Sequence, residues 1–401
     1  MPAFHKVIRY RLIRSLMKKV INKPQPKPAM FVGPDSSLQL CATIAHFGVK
    51  KILLVTDRPI IELGLHTAAV DKLNSLDIEV CIYDEVKPDP TVSVIEAGIK
   101  RLQENHCDAV LAFGGGSSMD NAKVIAMAAG NNLTVQECMG FGKAKLPTLP
   151  LFAIPTTAGT GSEATMAAIV SDDETHAKNA VADFKLVPSA AALDPSLMLG
   201  LPPHITAATG MDALTHAVES YTGVWSTPET DHFCLAATKL IFENIETAYN
   251  DGQNIAAREA MALASYYAGL AFTQAMVGYV HAISHQLGAH YGIAHGVGNA
   301  MALPPVMEML KGAATAELAE LAIHVGLGIS DEAPELLADR FIGRIWELND
   351  NLGIPRQTEL IQDKDIPVIV AAAMKEGNGY PVPRFIENSE CEALLRGLQS
   401  N

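Results

Sequence analysis

Apolar residues in the first half of the chain come in short runs, each too brief for a helix. Residues 51–56, 79–83, 109–113 and 149–154 form such runs, and the intervening stretches 57–76, 91–105 and 117–129 carry helical spacing. Strands of a parallel sheet read as continuous apolar runs because helices cover both faces. The alternation therefore predicts an α/β domain built on a parallel sheet. Beyond about residue 200 strand signals become scarce, and Ala-, Leu- and Met-rich helical segments follow one another. The clearest are 205–221, 230–250, 255–274, 280–291 and 334–352, with Pro202-Pro203 at the junction. The expected organisation is an N-terminal extension over 1–29, an α/β domain over 30–200 and an all-helical domain over 201–401, with a site in the cleft between the last two. No internal repeat is visible.

Two loops after predicted strands carry the composition of a phosphate cradle. Gly114-Gly115-Gly116-Ser117 ends one strand and opens a helix, and Asp120 lies in that helix's first turn. Glycines let the backbone approach a diphosphate, and a helix N-terminus offers free N–H groups. The common Gly-x-Gly-x-x-Gly fingerprint is absent, and a tight structural turn has the same composition. A second loop, Pro155-Thr156-Thr157-Ala158-Gly159-Thr160-Gly161-Ser162-Glu163, again follows a strand and gathers hydroxyls with glycines. Two such loops at successive strand ends point to one extended ligand. Asp57, at the end of the first strand, suits an adenosine ribose and repels the extra phosphate of NADP. At ~4 Å and an effective dielectric near 20, a like-charge pair costs about 4 kcal/mol before relaxation. Asp57 is equally placed to cap the helix that Arg58-Pro59 begins.

The strongest chemistry lies in the helical half. Asp212 and His216 are four apart, as are His281 and His285, and His290 and His295 follow. A spacing of four puts each pair on one helical face. A lone histidine on an apolar helix is usually a hydrogen-bonded core residue. Two such pairs plus a further histidine need shared partners, and a divalent ion supplies them. Imidazole and carboxylate suit Fe(II) or Zn(II), and the spacing does not choose between them.

Composition then removes whole classes of function. The chain has 401 residues, 49% hydrophobic and 18% charged, which suits two globular domains. Its net charge of −14 argues against nucleic acid as a partner. Residues 1–29 hold eight Lys or Arg and no acid, so the remainder carries −22. Within that segment Phe4, Ile8, Leu12, Leu16 and Val20 recur at four-residue spacing. They mark an amphipathic helix packed on the protein's own surface or a neighbour's, or a segment for an acidic membrane surface or organelle targeting. Cysteines at 41, 81, 107, 138, 234 and 391 form no metal or redox pair and read as reduced thiols of a cytoplasmic protein. No apolar run reaches membrane-spanning length.

Together these motifs resemble the iron-containing (group III) alcohol dehydrogenases, from about residue 30 to 390. The markers are Gly114-Gly115-Gly116-Ser117-x-x-Asp120, the loop 155–163, Gly210-Met211-Asp212-Ala213-Leu214-Thr215-His216-Ala217, and His281-x-x-x-His285-x-Leu287-Gly288 running on to His295-Gly296. The resemblance implies a Rossmann-like NAD-binding domain followed by an all-α domain, in a dehydroquinate synthase-like architecture. It implies Fe(II), with Zn(II) the alternative, held by Asp212, His216, His281 and His295. It implies NAD contacts from Asp57, Gly114, Gly115, Gly116, Ser117, Asp120, Thr156, Thr157, Thr160 and Lys178. His285 then stands beside the metal without ligating it, a candidate for relaying the alcohol proton. The implied reaction is hydride transfer between a primary alcohol and NAD, in a homodimer or larger assembly. Glycerol dehydrogenase and hydroxyacid–oxoacid transhydrogenase remain alternatives on this scaffold. A dehydroquinate synthase-type lyase would need a basic cluster that the histidine region lacks, and a metal-binding protein without activity has no use for two nucleotide loops. Three features depart from the family pattern: Asp89 stands where Asn is common, the basic segment 1–29 precedes the family's usual start, and His290 has no family role, which makes it a structural histidine.

Overall fold

The computed structural model describes Ser15, Lys18 and residues 25–88, 90–174 and 178–400. The stripe of Phe4, Ile8, Leu12, Leu16 and Val20 and the departure at Asp89 lie outside them. The chain divides into two compact units. One comprises Pro26–Leu201 with Gln253–Gly269; the other comprises Pro202–Gly252 and the residues from Leu270 onward. The segment 253–269, expected in the helical half, thus groups with the sheet.

Among the described residues the first unit holds nine strands: β1 (Ala29–Val32), β2 (Lys51–Asp57), β3 (Glu79–Val86), β4 (Ala109–Gly114), β5 (Gly140–Phe141), β6 (Leu151–Pro155), β7 (Ala167–Ser171), β8 (Lys178–Ala182) and β9 (Ala190–Leu193). Six make one sheet in the order β1-β9-β6-β4-β2-β3, with every pairing parallel. The other three form a small sheet, β5-β8-β7, with β7 and β8 antiparallel. Alternate residues along the large sheet feed two separate cores. Ile52, Leu54, Leu111 and Phe152 join Leu40, Ile44 and Leu73 on one face. Leu53, Val55, Val110 and Ala153 join Ile95, Met119 and Ile125 on the other. This two-sided burial is why the strands read as unbroken apolar runs.

The four predicted strands correspond to β2, β3, β4 and β6. The predicted helix over 57–76 is two helices, Arg58–Glu62 and Thr67–Asn74. The break falls at Gly64, whose N–H turns back to the Ile61 carbonyl, a weak position for continuing a helix. After β2 the chain pairs β3 on one side and then crosses to β4 on the other. The carboxyl ends of β2 and β4 therefore flank a topological switch point, where open α/β sheets bind ligands. Asp57 ends β2 and Gly114 ends β4.

The second unit is helical. Its central element is the helix Pro203–Thr222, buried at every position from Gly210 to Thr222. A helix buried on all sides is central to its unit, and the polar groups it carries must find partners there. Tyr279–Tyr291 and Ile366–Gly377 pack together, and His295–Leu310 packs on both Pro203–Thr222 and Tyr279–Tyr291. Sequence reading missed His295–Leu310 because Pro304-Pro305, which lie inside it, signal a stop. Burial of Met301, Leu303, Val306 and Met307 outweighs that local cost.

Candidate active site

Asp212, His216 and Glu219 share one face of the buried helix Pro203–Thr222, at spacings of four and three. His281 and His285 repeat the four-residue step on Tyr279–Tyr291. His295 opens the next helix, with Asn299 one turn on. These helices bring four predicted ligands together. The Asp212 Oδ1 atom lies 3.9 Å from Nε2 of His216, 3.9 Å from Nε2 of His281 and 3.4 Å from Nε2 of His295. Ligand atoms of Asp212, His216 and His281 all fall within 4.8 Å of one another, and all three residues are buried. The His295 side chain, 35% exposed, forms the open edge. Such spacing suits donors around one ion with bonds of about 2.0–2.1 Å to imidazole nitrogen.

Neighbouring residues fix the predicted ligands. Glu219 accepts from Nδ1 of His281 at 2.7 Å and from the backbone N–H groups of Gly278 and Val280. A proton on Nδ1 leaves Nε2 as the lone-pair donor facing Asp212. A Cβ on Gly278 would lie 2.7 Å from Glu219 Oε1, so glycine is what permits this approach. Burial holds His281 well below the usual imidazole range, aided by His216, His295 and His285. It is therefore in the neutral form that binds metal. Burial likewise lifts Glu219 to about 7 against the pull of its three donors. The amide nitrogen of Asn299 lies 2.6 Å from Asp212 Oδ1 and 3.2 Å from Nε2 of both His281 and His295. Its buried Oδ1 has no hydrogen-bond partner among the described residues. A borderline-soft donor set of three imidazoles and one carboxylate, one imidazole held neutral, fits a divalent iron or zinc ion.

His285 stacks on His295 with ring centroids 5.2 Å apart. Its Nδ1 bonds Glu376 Oε1 at 2.6 Å, and Glu376 also accepts from the Tyr380 hydroxyl and Gln286. His290 is exposed and packs beside Tyr291, apart from the ligand set.

In the sheet unit the two predicted loops lie against each other. The Thr156 N–H donates to the Gly114 carbonyl, and β4 and β6 pair at Gly114 and Pro155. A Cβ on Gly115 would meet Thr157 Oγ1 at 3.4 Å, and one on Gly116 would meet Thr160 Cγ2 at 2.7 Å. Gly114 sits at φ +148°, where a Cβ would also strike Ser118 Oγ at 2.5 Å and lie 3.8 Å from Asp57 Oδ2. Asp57, Gly114, Gly115, Gly116, Thr156, Thr157 and Thr160 are thus neighbours. Ser117 follows in the first turn of the helix Gly116–Asn131. Buried Ser118 Oγ has no hydrogen-bond partner among the described residues. The bare cradle, the helix N-terminus and this spare hydroxyl suit a diphosphate. Asp57 also caps its helix, accepting from Ile60 N–H at 3.0 Å. Asp120 turns inward, taking Ser162 Oγ on Oδ1 and the Ile169 N–H on Oδ2. Lys178 is exposed at the start of β8.

Sequence reading passed over Glu219, Asn299 and Glu376. Glu219 had a signal, a third polar residue on the Asp212 face of an apolar helix. Asn299 had one too, four residues after His295. Glu376 had none, since its role depends on a helix 91 residues from its histidine.

Comparison with known proteins covers almost the whole described chain. The profile for "Iron-containing alcohol dehydrogenase" matches residues 27–195. The profile for "Fe-containing alcohol dehydrogenase family, C-terminal" matches residues 206–398. Alcohol dehydrogenase 4 of Saccharomyces cerevisiae is 41% identical over 92% of this chain and 96% of its own length. The NAD-dependent methanol dehydrogenase of Bacillus methanolicus is 36% identical over 92% of this chain and 97% of its own. The crystal structure of a 1,3-propanediol oxidoreductase superposes with a TM-score of 0.90 at 36% identity, covering 93% of this chain and 99% of that one.

Proposed function

The chain belongs to the iron-containing alcohol dehydrogenase family, whose members are alcohol–aldehyde oxidoreductases, and from that premise we propose that it interconverts short primary alcohols and aldehydes using NAD. The observation that carries the reading is the meeting of Asp212, His216 and His281 within 4.8 Å of one another, with His295 at their open edge. The relatives named for methanol and 1,3-propanediol support a small primary alcohol as substrate. Asp57, half-buried at the switch point, favours NAD over NADP.

When bound, the metal ion supplies Lewis acidity toward the alcohol or carbonyl oxygen, and the dinucleotide accepts or gives the hydride. The chain's own residues position and protonate. Glu219 orients His281, and the Gly114–Ser117 turn presents a helix N-terminus to the diphosphate. Thr156, Thr157, Thr160 and Lys178 line the remainder of the dinucleotide. Glu376 holds His285 through Nδ1, leaving Nε2 to accept the alcohol proton and pass it outward. Six cysteines, all free and buried, accord with a reducing cytoplasm. Among the described residues no helix is long and apolar enough to cross a membrane. A homodimer or larger assembly completes the proposal.

The test is a panel of short primary alcohols and diols with NAD and NADP, on protein loaded separately with Fe(II) and Zn(II). NADH absorbance should grow on the Fe(II) form with at least one primary alcohol. No NADH from any alcohol, at verified metal occupancy, would remove the reading.

A further inference from the structure

One strongly polar group in the sheet unit has no part in the reaction so far: Lys123, which is only 1% exposed. Its Nζ donates to Ser162 Oγ at 2.9 Å, Thr165 Oγ1 at 2.8 Å and the Ala167 carbonyl at 2.7 Å. All three ammonium protons are therefore used, and all three acceptors lie at the end of the second loop or just beyond it. Asp120, one turn earlier on the helix Gly116–Asn131, grips the same stretch through Ser162 Oγ and the Ile169 N–H. The Ser162 hydroxyl thus accepts from Lys123 and donates to Asp120. The helix that begins at the first glycine loop clamps the chain that leaves the second.

An ammonium is costly to bury even when paired, and in protein interiors apolar side chains of similar volume are often no less stable. The cost shows in Lys123, drawn down to about 8 by burial despite the nearby charges of Asp120 and Glu163. What the cation supplies that an apolar residue could not is a fixed position for three separate acceptors. Upstream, Thr156 is tied to Gly114 and Thr160 packs on Gly116, so the second loop is held at both ends against the first.

We propose that Lys123, linked to Asp120 through the Ser162 hydroxyl, is a positioning residue for the dinucleotide, locking the loop 156–162 in its binding conformation. The inference rests on the reading that these loops take NAD, and it gives Asp120 a supporting role in place of a direct contact.

NADH binding by fluorescence on the metal-loaded wild-type enzyme tests that reading first; failure to bind would remove the reading itself. Given binding, Lys123→Met should raise the Kd for NADH about tenfold or more, the scale of lost charge-assisted hydrogen bonds. The KM for NAD should rise in parallel, while kcat stays within about threefold and metal content is unchanged. Should Lys123→Met fail to fold, Thr165→Val and Ser162→Ala each remove one acceptor without altering charge. Each should weaken NADH severalfold. Folded Lys123→Met with NADH affinity within twofold of wild type would overturn the proposal. So would a fall in kcat and metal content at constant KM, or NADH affinity unchanged in both milder variants.

Discussion

The carboxylate of Glu219 accepts the Nδ1 proton of His281 at 2.7 Å, and the same carboxylate holds the first backbone N–H groups of the helix that carries that histidine. One side chain therefore sets both the ring's tautomer and the start of its helix. Partners of this kind raise ligand basicity, and their loss typically costs 10–100-fold in metal affinity. Glu219→Gln should weaken metal binding by about that factor, read by competition with a chromophoric chelator. Asp212→Ala and His281→Ala should lose bound metal and turnover together. Full occupancy by elemental analysis in either would contradict the ligand assignment.

Asp57 faces Gly114 across the switch point and also caps a short helix. Asp57→Gly removes the charge at little capping cost, since glycine in a cap position loses only a few tenths of a kcal/mol. The kcat/KM with NADP should rise, and the NAD-to-NADP ratio should fall about tenfold or more. An unaltered ratio would assign Asp57 to capping alone.

His285 is tied to Glu376 on one nitrogen and stacked on His295. His285→Gln should retain metal but flatten the pH–rate profile and slow turnover about 10²-fold or more, the scale of one general acid–base group. A profile that matches wild type, at equal metal content, would leave His285 an orienting role only.

Buried Glu163 makes stability depend on pH. Burial lifts it to about 7 from an ordinary 4.5, with Lys123 pulling the other way. Between those values the folded protein holds a proton that the unfolded chain has released, so stability falls as pH rises through the window and levels off above it. Glu163→Gln should remove that fall. The variant's Tm should gain on wild type between pH 5 and pH 8, by the equivalent of about 1–3 kcal/mol. An equal Tm difference at both ends would mean that Glu163 ionises as it does in the unfolded chain.

The motifs made the candidate metal centre legible because Asp212 and His216, and His281 and His285, each repeat at the pitch of a helix. Meeting across helices was a wager on fold, and a family resemblance supplied it. The large sheet was legible where its strands were long and apolar. β1 and β9 escaped because Ala-Met-Phe-Val and Ala-Ala-Ala-Leu are short and, in β9, alanine-rich, with weak strand preference. Lys123 was invisible for the opposite reason. A lysine in a helix reads as a solvent-facing residue, and only the packed fold shows three acceptors around it.

The segment Gln253–Gly269 returns to the sheet unit after the chain has already built two helices of the other. Its Ser265 hydroxyl accepts the Gly161 N–H at 3.1 Å, bracing the second loop from behind. A gene fragment ending at Leu201 would therefore encode the sheet unit without its own brace. The halves of this molecule cannot be exchanged as simple cassettes; in recombination, the first must travel with a splinter of the second.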